Sequence, residues 1–586
     1  MDSRSYGWIQ NPGKFDNLQH VVQILDSSSV QYKLLRDKLV PELIYFKYIK
    51  SELLSKLQSN ISIFTYSELV GSAKDKYGNS VSSSGVGRKG AMADGLIQVT
   101  IPSQNKSKPW TDNWTSDGYL RWAVSLNFVR PDEKSSEFEI TQLGALFSKT
   151  HTEKERDTIL AQAFLSYPPA TRILSILSQN IDHSLSKFQL GHKLGFYGEP
   201  GFTSYSNKLM QQYLKSAQEK KEISKIKSDI EGTSDKYARM ISKWLSKVGY
   251  VEIHGTKIKN DYGQIISGFP TYSITGKGFH ALNQSIGKSK NNRVSKFVRW
   301  DFFATTGKNK DYLRIRRAKI IKILIHTPRK SLQALMDDLK AKGINDSIDV
   351  IKNDVLGLEN CGIRVSLDGN YIELKDKIQD FWIPTLNINN ALKDKHLEKI
   401  KEKFLENTSL DPRFISLIEI SRDKKQNRAF EIITAELFNT SYKLSATHLG
   451  GGRRPDVLVY NDNFGIIVDT KAYKDGYGRN VNQEDEMVRY ITENNIRKQD
   501  INKNDWWKYF SKSIPSTSYY HLWISSQFVG MFSDQLRETS SRTGENGGAM
   551  NVEQLLIGAN QVLNNVLDPN CLPKYMENKE IIFETL

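Results

Sequence analysis

The sequence predicts a multidomain protein: three α+β units in series, followed by an α/β domain built around a central mixed sheet. Three observations carry that prediction. A motif repeats weakly through the first two-thirds of the chain, the composition changes near Pro384, and the last third holds short β-branched strands flanked by helices. At roughly 100–200 residues per domain, 586 residues accommodate on the order of four such bodies.

The repeat comes first. Ser116-Asp117-Gly118-Tyr119-Leu120-Arg121 returns as Ser234-Asp235-Lys236-Tyr237-Ala238-Arg239. Each copy is predicted to open an apolar-periodic helix, with its Ser or Asp capping the first turn. Each helix runs into an aromatic-Val pair, Phe128-Val129 and Tyr250-Val251. Downstream, FEITQLGALF around Thr141 and YSITGKGFHAL around Thr275 each read as a strand ending in Thr, then Gly and a new helix. Helix, strand, wing and returning strand is the order of a winged helix.

A third unit keeps this order without the signature. Its helices are RRAKIIKILI, SLQALMDDLKAKG and residues 347–362, and the hairpin IRVSLDGNYIEL turns at Asp368-Gly369. The predicted boundaries are 1–155, 156–295 and 296–384 for the winged-helix-like units, 385–391 for a linker, and 392–586 for the last domain. Candidate third helices carry Arg121, Lys236, Arg239 and Lys243, placed to meet a polyanion. The Gly/Ser-rich stretch 80–92, with Arg88 and Lys89, reads as a solvated loop or as one that orders on nucleic acid. The charged helical run 218–232 reads as a solvated face.

Composition narrows the class. Lys and Arg total 82 against 66 Asp and Glu, a net charge of +16 that favours a polyanion partner. Two cysteines, Cys361 and Cys571, exclude a disulfide framework and a four-thiolate zinc site. No run approaches the ~20 apolar residues of a membrane span, and the first residues lack a signal-peptide core, so a cytoplasmic protein without a membrane partner is expected. There is no phosphate-binding G-x-x-x-x-G-K-[ST] loop and no Gly-x-Ser-x-Gly elbow. Tyr167-Pro168-Pro169 reads as the cap of the helix TRILSILS.

Chemistry concentrates in HLGGGRRPDVLVYNDNFGIIVDTKAY, residues 448–473. VLVY and FGIIV flank Asn461-Asp462-Asn463 and form a hairpin. A turn centred between Asp462 and Asn463 puts Asp456 opposite Asp469, with Cβ atoms roughly 4.5–5.5 Å apart. Two facing carboxylates repel unless a cation sits between them, and oxygen donors suit a hard ion such as Mg²⁺. Lys471, two residues after Asp469, shares its face and is placed to orient water or steady a pentavalent phosphate. This is the PD-(D/E)xK arrangement of metal-dependent nucleases. Its bare pattern is weak, and Pro131-Asp132-Glu133-Lys134 is a decoy read as a turn. On the helix 428–438, Glu431 or Glu436 is placed to supply a third acid; Glu431 is the one assigned. The glycines 450–452 allow close approach of a phosphate, which Arg453 and Arg454 can pair.

These residues lead to a family. The chain resembles the FokI family of type IIS restriction endonucleases along nearly its whole length. The likeness rests on GWIQNPGKF (7–15), NWTSDGYLRWA (113–123), SYPPATRIL (166–174), GFTS (201–204) and SDKYARMI (234–241), then HLGG, RPD, IVDTKAY, DEMVRY and NDWWK. The resemblance implies three recognition units on double-stranded DNA and a tethered nuclease domain. It implies a short asymmetric site, GGATG in the family, and cleavage at a fixed distance outside it. Asp456, Asp469 and Lys471 are the implied catalytic residues, and Asp456, Asp469 and Thr470 the implied Mg²⁺ ligands. Implied DNA contacts are Gln10, Asn11, Arg88, Trp114, Glu231 and Lys236, with Arg239 added from the same helix; Ser228 stands where the family has an Asn. Asp485 and Arg489 are implied to join two cleavage domains in a transient homodimer, although that spacing is equally an intrahelical pair. A separate DNA methyltransferase and a bacterial cytoplasm complete the expectation. The rivals are a winged-helix regulator with a non-catalytic last domain and a strand-specific nicking enzyme.

Overall fold

The structure is a computed structural model that describes residues 5–81, 90–103, 107–133, 135–288 and 291–584. Arg88 lies outside the described residues.

Each of the first three units is a three-stranded sheet against helices, and each is built the same way. A short strand, Phe64–Thr65, Leu185–Ser186 or Arg329–Ser331, ends in a hydroxyl residue that caps the next helix. Thr65 accepts from Glu68 N, Ser186 from Gln189 N and Ser331 from Ala334 N, which satisfies one orphan donor of each helix start. Each short strand then pairs with the returning wing strand, as Phe64 with Phe138, Leu185 with Tyr272 and Ser331 with Tyr371. The third helices are Asn113–Ser125, Thr233–Lys247 and Ile348–Asn360. The winged-helix order therefore holds in all three units.

Two local expectations change. In the second repeat copy, Asp235 sits in the first helical turn and accepts from Gly232 N at 2.8 Å, as expected. In the first copy the helix starts a turn earlier. Asp112 takes the cap by accepting from Thr115 N, and Ser116 instead donates back to the Asp112 carbonyl. In the third unit Asp368 pairs with Tyr371, so the two turn residues are Gly369 and Asn370, with Gly369 at φ +55. Asp132 is a turn residue, its carboxylate accepting from Ser135 N. Tyr167 caps Pro168–Ser178 as read, with Pro168 at the first helical position.

One apolar core runs through all three units. Trp122 and Trp244, from the third helices of units one and two, stack at 4.6 Å. Trp8 lies between Tyr237 of unit two and Phe302 before the third unit's first helix. Burying such rings gives the units a fixed mutual arrangement.

The last domain follows the short Ile388–Ala391 helix. Its sheet is six-stranded, in the order Ser445–His448, Val457–Tyr460, Gly465–Lys471, Tyr519–Ser525, Gly547–Asn551 and Lys579–Glu580. The first three strands are antiparallel neighbours and the rest pair in parallel, giving the mixed sheet expected. Alternation feeds two cores. Val457, Val459, Ile466 and Val468 pack with the Asn427–Thr440 and Val552–Leu563 helices, whereas Leu458, Ile467 and Trp523 pack with Val481–Ile496 and Phe532–Thr543.

Candidate active site

The site grows from the hairpin register. Val457 faces Val468 and Tyr460 faces Gly465, so the next position outward sets Asp456 opposite Asp469. At the end of the sheet the Asp456 carboxyl stands close enough to Asp469 to act on its protonation. Lys471 Nζ donates to Asp469 Oδ1 at 2.8 Å. Thr470, on the other face by alternation, turns its backbone N–H and hydroxyl to Asp456 Oδ2 at 2.9 and 3.1 Å. That bracing fixes the Asp456 carboxylate and spends both Thr470 protons, so a cation would meet Thr470 through an oxygen lone pair such as that of its carbonyl.

Electrostatics at this end of the sheet are those of crowded acids. Burial pushes the Asp469 carboxyl up to about 8, helped by Asp456 and opposed by Lys471. Burial and Asp456 likewise raise Glu431 well above the carboxylate range, against the pull of Arg428. The Lys471 pKa is raised too, but for the opposite reason: burial opposes its charge, and the neighbouring Asp469 and Asp456 outweigh burial and keep it cationic. Glu431 enters from the Asn427–Thr440 helix, and its immediate partners are Arg428 Nη1 at 2.7 Å and His448 Nε2 at 3.0 Å. His448 is fully enclosed, and burial with the nearby Arg428 and Arg454 keeps its imidazole neutral. Glu436, the alternative third acid, is turned away toward His192 at 3.7 Å.

Among the described residues no three or more His, Cys, Asp or Glu gather as a ready metal cage. The donor set is two carboxylates with a backbone carbonyl. Such a set fits Mg²⁺, which commonly keeps several waters and takes one or two protein carboxylates.

The glycine turn lies against unit two. Gly450 adopts φ +36, and a Cβ there would run into Arg428 and His448. Tyr213 of unit two stands edge-on to His448 at 4.8 Å and donates to the Gly450 carbonyl at 3.3 Å. Arg454 pairs with Glu222 at 2.8 Å. The charged run 218–232 is thus not wholly solvated: its helix, Lys220–Asp229, buries Ile226 and binds the nuclease domain.

Of the candidate DNA contacts, Gln10, Asn11 and Trp114 surround one hollow of about 320 Å³. The Asn11 amide, oriented to accept, takes Trp114 Nε1 at 2.7 Å. Gln10 also borders a cleft of about 710 Å³ with Lys236, which reaches Arg422 and Lys474 of the last domain. Glu231 and Arg239 stand elsewhere. Glu231 is buried, bound by Lys187 at 2.6 Å and Arg239 at 2.7 Å, so both are committed to an internal ion cluster.

Comparison with known proteins gives the site its context. Models of the FokI recognition domain match residues 4–150 (subdomain 1) and 156–290 (subdomain 2), the FokI D3 domain matches 303–370, and the FokI cleavage domain matches 394–582. The chain is 39% identical over 595 aligned residues to the type II restriction enzyme FokI of Planomicrobium okeanokoites, covering 99% of both. The chain belongs to the FokI family of type II restriction enzymes. It is 29% identical over 565 residues to the type II restriction enzyme StsI of Streptococcus sanguinis, covering 93% of this chain and 90% of that one. Two solved structures of restriction endonuclease FokI, one of them bound to DNA, superpose with TM-scores of 0.90 and 0.91 at 37% and 36% identity. They cover 99% of this chain and all of theirs.

Membership of the FokI family makes the protein a restriction endonuclease and sets aside the reading as a regulator with an inert last domain. It also directs attention to the Val481–Ile496 helix. Asp485 is exposed and pairs with Arg542 at 2.8 Å. Arg489 lies 3.7 Å from Glu493 and over the Tyr490 ring, so the two do not pair within the chain. Sequence reasoning missed Arg428, Tyr213 and Arg542. Arg428 had a signal, three residues before Glu431 on one helix face. Tyr213 and Arg542 reach their partners only through tertiary packing.

Proposed function

We propose that the protein is a type IIS restriction endonuclease that reads a short asymmetric site in double-stranded DNA, GGATG by family likeness. On this reading it hydrolyses phosphodiesters at a fixed distance outside that site with Mg²⁺. The reading is carried by the juxtaposition of Asp456, Asp469 and Lys471 on one hairpin within a FokI-type cleavage domain. Gln10, Asn11, Trp114 and Lys236, with Arg88, contact the duplex; Glu231 and Arg239 shape the helix end that presents Lys236. The units keep the boundaries 155, 295 and 384 set out above.

In the reaction, Asp456 and Asp469 hold the ion, with the Thr470 carbonyl completing the protein donors. An ion held there would supply the Lewis acidity that polarises the scissile phosphate. Lys471, kept charged, cannot serve as the general base. Its ammonium instead orients the attacking water and offsets charge as the phosphate becomes pentavalent; the water's proton passes to solvent as the bond to the leaving oxygen breaks. Because burial raises the Asp469 carboxyl, a proton would compete with the ion for it, so metal affinity should rise with pH. Glu431 stays against Arg428 and His448 and orders the neighbouring glycine turn.

Two copies cut as a transient dimer through Asp485 and Arg489. The protein works in a bacterial cytoplasm beside a separate protective methyltransferase.

The test is incubation of plasmid DNA with Mg²⁺, followed by end sequencing. Linear fragments with a constant offset from one short site are expected, and intact plasmid would refute the reading. Open-circular product alone would indicate a nicking enzyme. Asp456→Ala and Lys471→Ala should each abolish cleavage while gel shifts remain unchanged; loss of the shifts would sink the division into reading and cutting modules. Asp485→Ala should slow double-strand cleavage at limiting enzyme and recover at high enzyme. Equal rates at every concentration would remove its dimer role.

A further inference from the structure

Units two and three meet around a cavity of about 310 Å³ that shares no lining residue with the catalytic hairpin or with the Gln10–Lys236 cleft. Its walls are the Pro168–Ser178 helix, the tail of the Gly276–Ser285 helix and the turn from Glu359 to Arg364. Its lining includes Arg172, Lys288, Lys296 and Arg364 as cations and a single carboxylate, Glu359. Its size falls at the lower end of the roughly 300–1,000 Å³ of small-ligand pockets.

The cations are short of anions. Lys296 is 1% exposed, and its ammonium donates to the Leu165 carbonyl at 3.0 Å, Thr171 Oγ1 at 2.7 Å and Ser285 Oγ at 2.8 Å, all neutral acceptors. Burial pulls its pKa down to about 7. Arg172 donates to the Lys193 carbonyl and to Asn360 Oδ1, and stands 3.9 Å from Glu359. Arg364 donates to the Ile286 carbonyl and lies 3.8 Å from Asp376. Buried charges without close counter-charges are costly, and burial lowers the Arg172 pKa as well. A hollow that gathers a buried lysine bonded only to neutral acceptors and two arginines whose nearest carboxylates stand 3.8 and 3.9 Å away favours an anion.

We propose that this cavity binds a phosphate monoester no larger than a mononucleotide, with Arg172 and Arg364 pairing its oxygens and Lys296 supplying charge from behind. Phosphate is the anion whose several oxygens match two guanidinium forks. Ser175 lines the same cavity and adds a neutral hydroxyl, whereas the Ser178 hydroxyl is committed to the Ser175 carbonyl at 2.8 Å. Lys288, exposed at the rim, draws the anion in. Because the walls come from two units, an occupant braces their junction and raises thermal stability by mass action.

Calorimetric titration of the full chain with inorganic phosphate and, separately, with AMP tests this at constant ionic strength in chloride. Saturable one-to-one binding of at least one is expected. Phosphate alone would identify the free anion, and AMP alone a nucleotide, and each result supports the site. Arg172→Gln and Arg364→Gln should each weaken binding by about tenfold or more. Ser175→Glu, which adds a carboxylate to the cavity and leaves every hydrogen bond named above in place, should abolish binding without changing plasmid cleavage. Failure of both ligands to bind, or titrations unchanged in Ser175→Glu and both arginine variants, would overturn the assignment.

Discussion

His521 shows how much one side chain can settle. It lies on the central strand Tyr519–Ser525, fully buried opposite Gly547, and neither ring nitrogen has a hydrogen-bond partner among the described residues. Burial alone pushes its pKa from 6.5 down to about 3. The folded value lies below the unfolded one, so its contribution is complete above pH 6.5 and is lost as pH falls toward 3. At pH 4 that loss is about 3 kcal/mol, taking 1.36 kcal/mol per pH unit. His521→Leu should therefore lose about 3 kcal/mol less stability than the parent between pH 7 and pH 4, in urea unfolding at each pH. Parallel losses in the two proteins would remove His521 as the source of acid sensitivity. Nothing in HLWIS marks this histidine as buried. Its neighbours across the sheet, not its own sequence context, decide its charge.

At the scale of elements, pattern was legible wherever a period or a symmetric spacing fixed the geometry. The Asp456–Asp469 pairing followed from counting outward from the turn, because an antiparallel register leaves one solution once the turn is placed. The wings followed from strand, Thr, Gly and helix, and the structure supplies the reason for that order. Thr141 Oγ1 donates to the Asn127 carbonyl and accepts from Gly144 N; Thr275 Oγ1 does the same with the Gly249 carbonyl and Gly278 N. The glycine is required because a Cβ would strike a backbone oxygen, that of Phe128 at Gly144 and of Tyr250 at Gly278. Gly278→Ala should then cost about 1–3 kcal/mol, since backbone cannot yield as a flexible side chain can. Thermal unfolding checks it, with Gly276→Ala, open around its Cβ, as the control. Equal melting temperatures for the two would refute the steric account. Capping was less legible: Asp112 and Ser116 both suit a helix start, and only packing chose between them.

At the scale of the molecule the sequence was silent, because contacts between distant units leave no local period. No pattern in 218–232 shows that its helix holds the cleavage domain, yet Phe188, Leu209 and Met210 of unit two share a core with Phe430 and Ile433. Around that core, Glu222 binds Arg454 beside the glycine turn, and Asp261 accepts from Tyr509 at 3.1 Å. The cleavage domain is held here against unit two. The Arg454–Glu222 pair is largely shielded, so a charge-assisted bond of about 1.5–3 kcal/mol is at stake, or roughly a ten- to hundredfold change in the released population. Glu222→Arg should accordingly raise cleavage of DNA that lacks the recognition site while site binding in gel shifts stays constant. The double variant Glu222→Arg with Arg454→Glu should return off-site cleavage toward the parent level if the pair itself is the restraint. The double variant separates release of the domain from the effect of freeing Arg454, because it restores the pair with its charges exchanged. Off-site cleavage equal to the parent in Glu222→Arg would show that the apolar core alone holds the domain.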